Sequence, residues 1–342
     1  MAMGYAENKM SFLLFPLLFS FQPKFDLKIE PVILGLNSGI LIAGLIGIIN
    51  VIGVVANLGF SWSTVSSVHI SPIHHPSYLA IFILVSIIAT WHLKRNGSYS
   101  FNSNWVIPYS IIATGFFLLC FSLAGILFAM ILFALFTLVW IKKRVKLSLF
   151  YFLLIALPLL LISIFRFTPI LNEEVSGAWS SAGKVWNNPI KYVKDKPGYK
   201  TGNEIRLIMW TVTILEIIDH PMGVGTGNVD EHLSERLYKY GQFDLAKKDD
   251  KGSIRYNPHN QFLQTTLEIG IFGLTVLLIY LILLARLALK KQDMILAVLV
   301  GSLFFNCLFE SILQRQSGII FYSFFLSVIV VIIGNRSYNS VK

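Results

Sequence analysis

Six apolar runs, at about 32–58, 76–93, 148–166, 260–285, 294–312 and 317–335, constrain this chain more than any motif does. Each is near the ~20 residues that a helix needs to cross a hydrocarbon core of about 30 Å. That core offers no water to backbone N–H and C=O groups, so the runs must close their hydrogen bonds internally, as helices. Composition agrees. Hydrophobic residues make up 55% of the chain and charged residues 13%, with a mean hydropathy of +0.68, which is too apolar for a soluble globule. The stretch 105–141 is too long for one untilted helix, and it runs between Lys94-Arg95 and the basic group Lys142, Lys143, Arg144 and Lys146. Both basic patches favour the cytoplasm, so the stretch crosses twice and turns near Cys120 to Gly125. The segment 10–21 is shorter and contains Pro16, which leaves a short span, a re-entrant piece and an interfacial helix all open. The expected fold is all-α: a polytopic transmembrane bundle of about 8–9 spans with a large external, partly helical loop between late spans.

Charge tests this topology. Placing 23–31, 94–104, 142–147, 286–293 and 336–342 inside puts 13 Lys and Arg against 3 Asp and Glu there, leaving 15 against 15 elsewhere. The whole net charge of +10 thus falls on the cytoplasmic side, so the basic balance reads as topology and implies no nucleic-acid partner. Three regions follow: N-terminal transmembrane helices over 1–166, a large external loop over 167–258, and C-terminal transmembrane helices over 259–342. Cys120 and Cys307 lie inside apolar segments, so neither a disulfide framework nor a cysteine zinc site is indicated.

Residues 259–273, HNQFLQTTLEIGIFG, place titratable chemistry at the mouth of an apolar helix. With Asn257 as cap and Pro258 in the first turn, His259 is expected at the second helical position, where unpaired backbone N–H groups suit an anion. At about 100° per residue, Gly270 and Gly273 share its face, and their missing side chains let a neighbouring helix or a lipid approach the backbone. Glu268 falls on the opposite face and is not expected to orient the histidine. Upstream, 204–219 reads as an amphipathic helix, followed by the glycine turn HPMGVGTGN. No strand precedes these glycines and no Walker lysine follows them, so a turn returning the chain to the bilayer surface is preferred over a nucleotide cradle.

The run from Arg206 through Trp210 to PMGVGTGN, then PHN, nine residues, GIFG, and finally FESILQRQSG resembles the O-antigen ligase and polymerase family of bacterial cell envelopes. The likeness is strongest over 204–335 and looser at SPIHHPSY (71–78) and the hairpin 105–141. It implies a multi-pass glycosyltransferase of the bacterial inner membrane with its active site open to the periplasm. Such an enzyme takes glycan from an undecaprenyl-diphosphate carrier and passes it to an acceptor such as lipid A-core, without a metal, cofactor or nucleotide sugar.

The chemistry suggests roles. A leaving diphosphate needs a permanent, bidentate cation, for which Arg206 is the leading candidate and Arg315 the second. The competing reading of Arg206 is an ion pair with Glu204 or an acidic neighbour. The acceptor hydroxyl must lose a proton, and His259 is placed either to take it or to steady the diphosphate, with Asn260 orienting either group. His74 and His75, close to His69, stand where the family usually carries a basic residue, and substrate contact, loop structure and a metal compete for them. No cysteine or acidic residue lies nearby in sequence to complete a zinc site, and no metal is expected. His92, His220 and His232 read as structural. The chain looks shortened at its N-terminus relative to the family. Ligation and repeat-unit polymerisation both fit. A non-enzymatic transporter or lipid-binding protein would want ionisable groups in broken helices near mid-membrane or an inverted repeat, and neither is evident.

Overall fold

The computed structural model describes residues 9–21, 27–98, 100–142, 179–180, 182–195, 200–250 and 252–339. Among these residues the protein is all-α, with no strand and only an isolated bridge between Lys248 and Ile254. Its helices are α1 (Ser11–Ser20), α2 (Ile29–Leu58), α3 (Trp62–Val65), α4 (Pro76–Arg95), α5 (Ser103–Leu119), α6 (Leu123–Lys142), α7 (Pro189–Lys194), α8 (Gly202–Asp219), α9 (Val229–Lys239), α10 (Phe243–Ala246), α11 (Gln261–Lys291), α12 (Met294–Phe309) and α13 (Gln316–Asn339). A 3₁₀ turn, Ile312–Gln314, joins the last two.

Four of these helices, α2, α4, α11 and α13, are long and apolar enough to cross a membrane, and α1, α5, α6 and α12 are shorter apolar helices. This is a helical membrane protein. The hairpin expected over 105–141 is α5 and α6, turning at Cys120–Ser122 with Phe121 in the left-handed region (φ 48°). The expected span at 148–166 lies outside the described residues. Helix α1 is ten residues long, about 15 Å of helix, or half a hydrocarbon core. It rests on α13 through edge-on contacts of Phe15 and Phe19 with Phe324.

The chain divides into two compact units. One comprises the described residues of Met130–Leu277 together with Cys307–Ser311. Here α8 starts in a capping box: the Thr201 side chain accepts from Glu204 N, and the Glu204 carboxylate accepts from Thr201 N at 3.0 Å. Two otherwise orphaned N–H groups are thereby satisfied. The apolar stripe expected of this helix is real. Ile208, Met209 and Val212 are fully buried against Leu233 and Leu237 of α9 and Leu267 of α11. Burial of each such side chain contributes about 1.5–3 kcal/mol, which gives this polar stretch its own core.

The other unit comprises the described residues of Met3–Ala129, Leu278–Asn306 and Ile312–Lys342. Helices α2, α4 and α5 pack through Ile40, Leu79, Ile83 and Phe116, and Gly44 of α2 admits the Phe116 ring where a Cβ would stand 2.1 Å from it. Polar side chains join the helices inside this apolar packing. Asn37 donates to Thr90 Oγ1 at 2.9 Å, Ser86 donates to Asn37, and Ser86 also bonds Tyr109. Asn306 donates to Tyr322 Oη at 2.8 Å, and that hydroxyl donates to Ser302 at 3.2 Å. Such pairs lock helix registry where the hydrophobic effect cannot, because lipid is as apolar as the helices.

Candidate functional site

Glu310 organises the polar cluster of the first unit. It follows α12 directly, its side chain is 5% exposed, and its two carboxylate oxygens hold two different groups. Arg206 Nη2 of α8 donates to Oε1 at 2.9 Å, and His259 Nδ1 meets Oε2 at 3.0 Å. The arginine and imidazole stay partly accessible, at 32% and 23%. A buried carboxylate therefore fixes a guanidinium and an imidazole side by side at a solvent-reachable edge. With Glu310 accepting from Nδ1–H, the imidazole's Nε2 is the acceptor nitrogen. Arg206 is thus in an ion pair, as its competing reading held, but its partner is Glu310, while the Glu204 carboxylate accepts from Thr201 N in the α8 cap.

The position of His259 corrects the expectation that it sits in the first turn of a helix. Asn257 Oδ1 accepts the His259 N–H at 2.9 Å, closing a local turn, and His259 takes a left-handed conformation (φ 47°). Helix α11 starts only at Gln261, capped by Asn260, whose Oδ1 accepts from Leu263 N at 3.0 Å. Asn257 satisfied the backbone by a side-chain turn instead of by capping, which short polar side chains do readily. Asn260 also bonds through its other amide atom, since its Nδ2 donates to the Leu308 carbonyl at 3.1 Å and ties the start of α11 to the end of α12. Both ends of its amide are thus on backbone, between the residue after His259 and the segment that leads to Glu310.

The glycine motif also behaves differently from expectation. Gly270 (φ 72°, ψ −168°) breaks α11, and the approaching partner is neither a helix nor a lipid but the turn 221–225. A Cβ on Gly270 would stand 2.5 Å from the Met222 carbonyl carbon, and one on Gly223 (φ 84°) would stand 2.5 Å from Gly270 N. The turn splices into the helix ladder. Ile271 N donates to Pro221 O at 3.2 Å, while Leu267 O and Glu268 O accept from Val224 N and Gly225 N at 2.8 and 3.0 Å. These turn amides are committed to α11, so they form no phosphate cradle. Gly273 faces Ile269 and Thr265 of its own helix across the break, with a Cβ position 2.7 Å from Ile269 Cβ. Glu268 is buried and accepts from Gln264 at 2.8 Å.

Arg315, His74 and His75 belong to the second unit. Arg315 is exposed, and its carbonyl accepts from Gly318 N and Ile319 N at the start of α13. His75 caps α4 through a contact of its Nδ1 with Ser77 N. His74 Nδ1 bonds Ser317 Oγ at 2.9 Å, and burial pushes its pKa below the usual 6.5. His74, Ser317 and Gln316 supply polar groups to an otherwise apolar cavity of about 970 Å³ between α2, α4 and α13. Glu310 is the residue that sequence reasoning missed. Its signal was a lone acid closing an apolar span, inside the FESILQRQSG stretch.

This is a helical membrane protein in which a polar loop helix, the segment before a broken helix and the end of an apolar helix converge on an arginine, a histidine and a buried carboxylate. Residues 108–278, half of the chain, match the family described as O-antigen ligase, and the chain belongs to that family. The match contains Arg206, His259 and most of the α5–α6 hairpin, and it ends before Glu310 and Arg315. No individual curated protein matches the chain.

Proposed function

We propose that this protein is an O-antigen ligase-like glycosyltransferase that moves glycan from undecaprenyl diphosphate to a surface acceptor such as lipid A-core, at the periplasmic face of the bacterial inner membrane. The single observation that supports this most is Glu310 holding Arg206 at 2.9 Å and His259 at 3.0 Å. The reaction needs a cation for the leaving group and a base for the acceptor, close together.

In this reading the acceptor hydroxyl oxygen attacks the anomeric carbon of the carrier-linked sugar. The bond from that carbon to the diphosphate oxygen breaks, and the diphosphate departs with the electron pair. Arg206, with one nitrogen on Glu310 and further N–H donors on the same plane, binds the charge that develops there. The hydroxyl proton passes to His259 Nε2, and Glu310 steadies the imidazolium through Nδ1–H. Arg315, His74 and His75 are proposed to contact donor or acceptor.

The test is a gel of surface glycolipid from a strain deleted for the gene, with and without wild type, Arg206→Ala or His259→Ala. Accumulated carrier-linked polymer beside bare core glycolipid supports ligation, and neither variant is expected to restore the normal pattern despite normal membrane insertion. Core capped by a single repeat would assign polymerisation instead. An unchanged pattern in the deletion strain would remove the surface-glycolipid function.

A further inference from the structure

A second cluster of chemistry-bearing side chains lies at the far end of α8. Glu216 is in its last turn, His220 caps it, and His232 is in the first turn of α9. Glu216 is 4% exposed. Arg236 holds its Oε1, whereas Oε2 is buried with no hydrogen-bond partner among the described residues. That oxygen faces two imidazole nitrogens, His232 Nδ1 at 3.5 Å and His220 Nε2 at 3.7 Å, and one donor atom from each of the three residues lies within 4.8 Å of the others. The two rings meet edge to face, 5.0 Å between centroids.

These spacings are long for hydrogen bonds but suit a shared cation. Around tetrahedral zinc, with bonds of about 2.0–2.1 Å, neighbouring donor atoms stand roughly 3.3 Å apart. The charge is favourable as well. Glu216 and Asp219 are both bound by Arg236, so one guanidinium is divided between two carboxylates, and Glu216 Oε2 turns its share of negative charge towards the two imidazoles. Arg236 is itself placed as the outer partner that orients a ligating carboxylate.

We propose that Glu216, His220 and His232 bind a divalent transition-metal ion, best fitted by zinc, which clips the end of α8 to the start of α9. Two nitrogens and one oxygen match zinc's preference and leave a fourth position for water. Glu216 is ten residues from Arg206 on one helix, about 15 Å along its axis, so the ion stands apart from the proposed transfer chemistry. It closes the loop whose turn, 221–225, is spliced into α11 at Gly270, and so braces that helix break.

The experiment uses the full chain, purified in detergent with a histidine-free tag, stripped with chelator and titrated with zinc chloride. Wild type is expected to retain one zinc per chain after desalting, by elemental analysis, and to melt at higher temperature with zinc than without. His220→Ala, at a half-exposed position, should lower zinc affinity by more than roughly 100-fold, since even outer-sphere changes cost 10–100-fold. The His220→Ala/His232→Ala double variant should retain none, while its metal-free melting matches that of metal-free wild type. Absence of retained zinc in wild type would overturn the proposal. So would unchanged retention in the double variant, which places the ion elsewhere. Because the readouts are metal content and melting, failure here leaves the proposed transfer reaction untouched.

Discussion

Replacing Glu310 by glutamine keeps the shape of the side chain and removes its charge. The carboxylate, 5% exposed, makes two charge-assisted hydrogen bonds, at 2.9 Å to Arg206 and 3.0 Å to His259. Each such bond is worth about 1.5–3 kcal/mol. An amide offers one acceptor oxygen, so it serves one of the two groups. If that oxygen stays with Arg206, the NH₂ faces His259 Nδ1 and forces the proton onto Nε2, the nitrogen that must accept one. Loss of the other bond, about 1.5–3 kcal/mol from the transition state, corresponds to a transfer rate lower by roughly 10–10²-fold, with the wrong tautomer adding to it. The assay is transfer by purified protein from a carrier-linked glycan to a core acceptor, with thermal unfolding run in parallel. Near wild-type transfer by Glu310→Gln, under conditions where Arg206→Ala is impaired, would refute the claim that this carboxylate organises the site.

The other expectations concern the supports of the site. Gly270→Ala puts a Cβ 2.5 Å from the Met222 backbone at a φ/ψ that essentially only glycine adopts, so strain and overpacking together should cost about 2–6 kcal/mol. Unaltered melting in detergent would show that the turn is not spliced into α11. Asn260→Ala removes a helix cap and the bond to Leu308 O, and should cost about 1–3 kcal/mol with a drop in transfer; a change confined to stability would deny it a positioning role. His74 has its pKa lowered by burial, so the unfolded chain binds the proton more readily than the folded one. The folded state is therefore fully stable above pH 6.5 and loses stability as pH falls from there towards the lowered value. His74→Gln should flatten the melting profile in that window, and an identical slope in the variant would contradict the assignment.

The elements legible from the sequence were those set by local pattern. The runs that became α2, α4, α11, α12 and α13, the α5–α6 hairpin turning near Cys120, and the amphipathic α8 all follow from apolar length and period. The family followed from motif spacing, which also singled out Arg206 and His259. Reading along the chain misplaced what a second local bond or a distant segment decided. Asn257 had a choice between capping a helix and closing a turn onto His259 N–H, and the fold took the turn, so α11 began at Gln261. Gly270 was legible as a point of close approach, yet only packing decided that a turn nearly fifty residues earlier supplies the partner.

Glu310 shows the limit most directly, being 104 residues from Arg206 and 51 from His259. Helix length and amphipathicity are determined by neighbours within a turn or two, so the chain alone specifies them. Which carboxylate meets which guanidinium and imidazole depends on how separate helices pack, because desolvation makes a buried charge tolerable only where those partners converge.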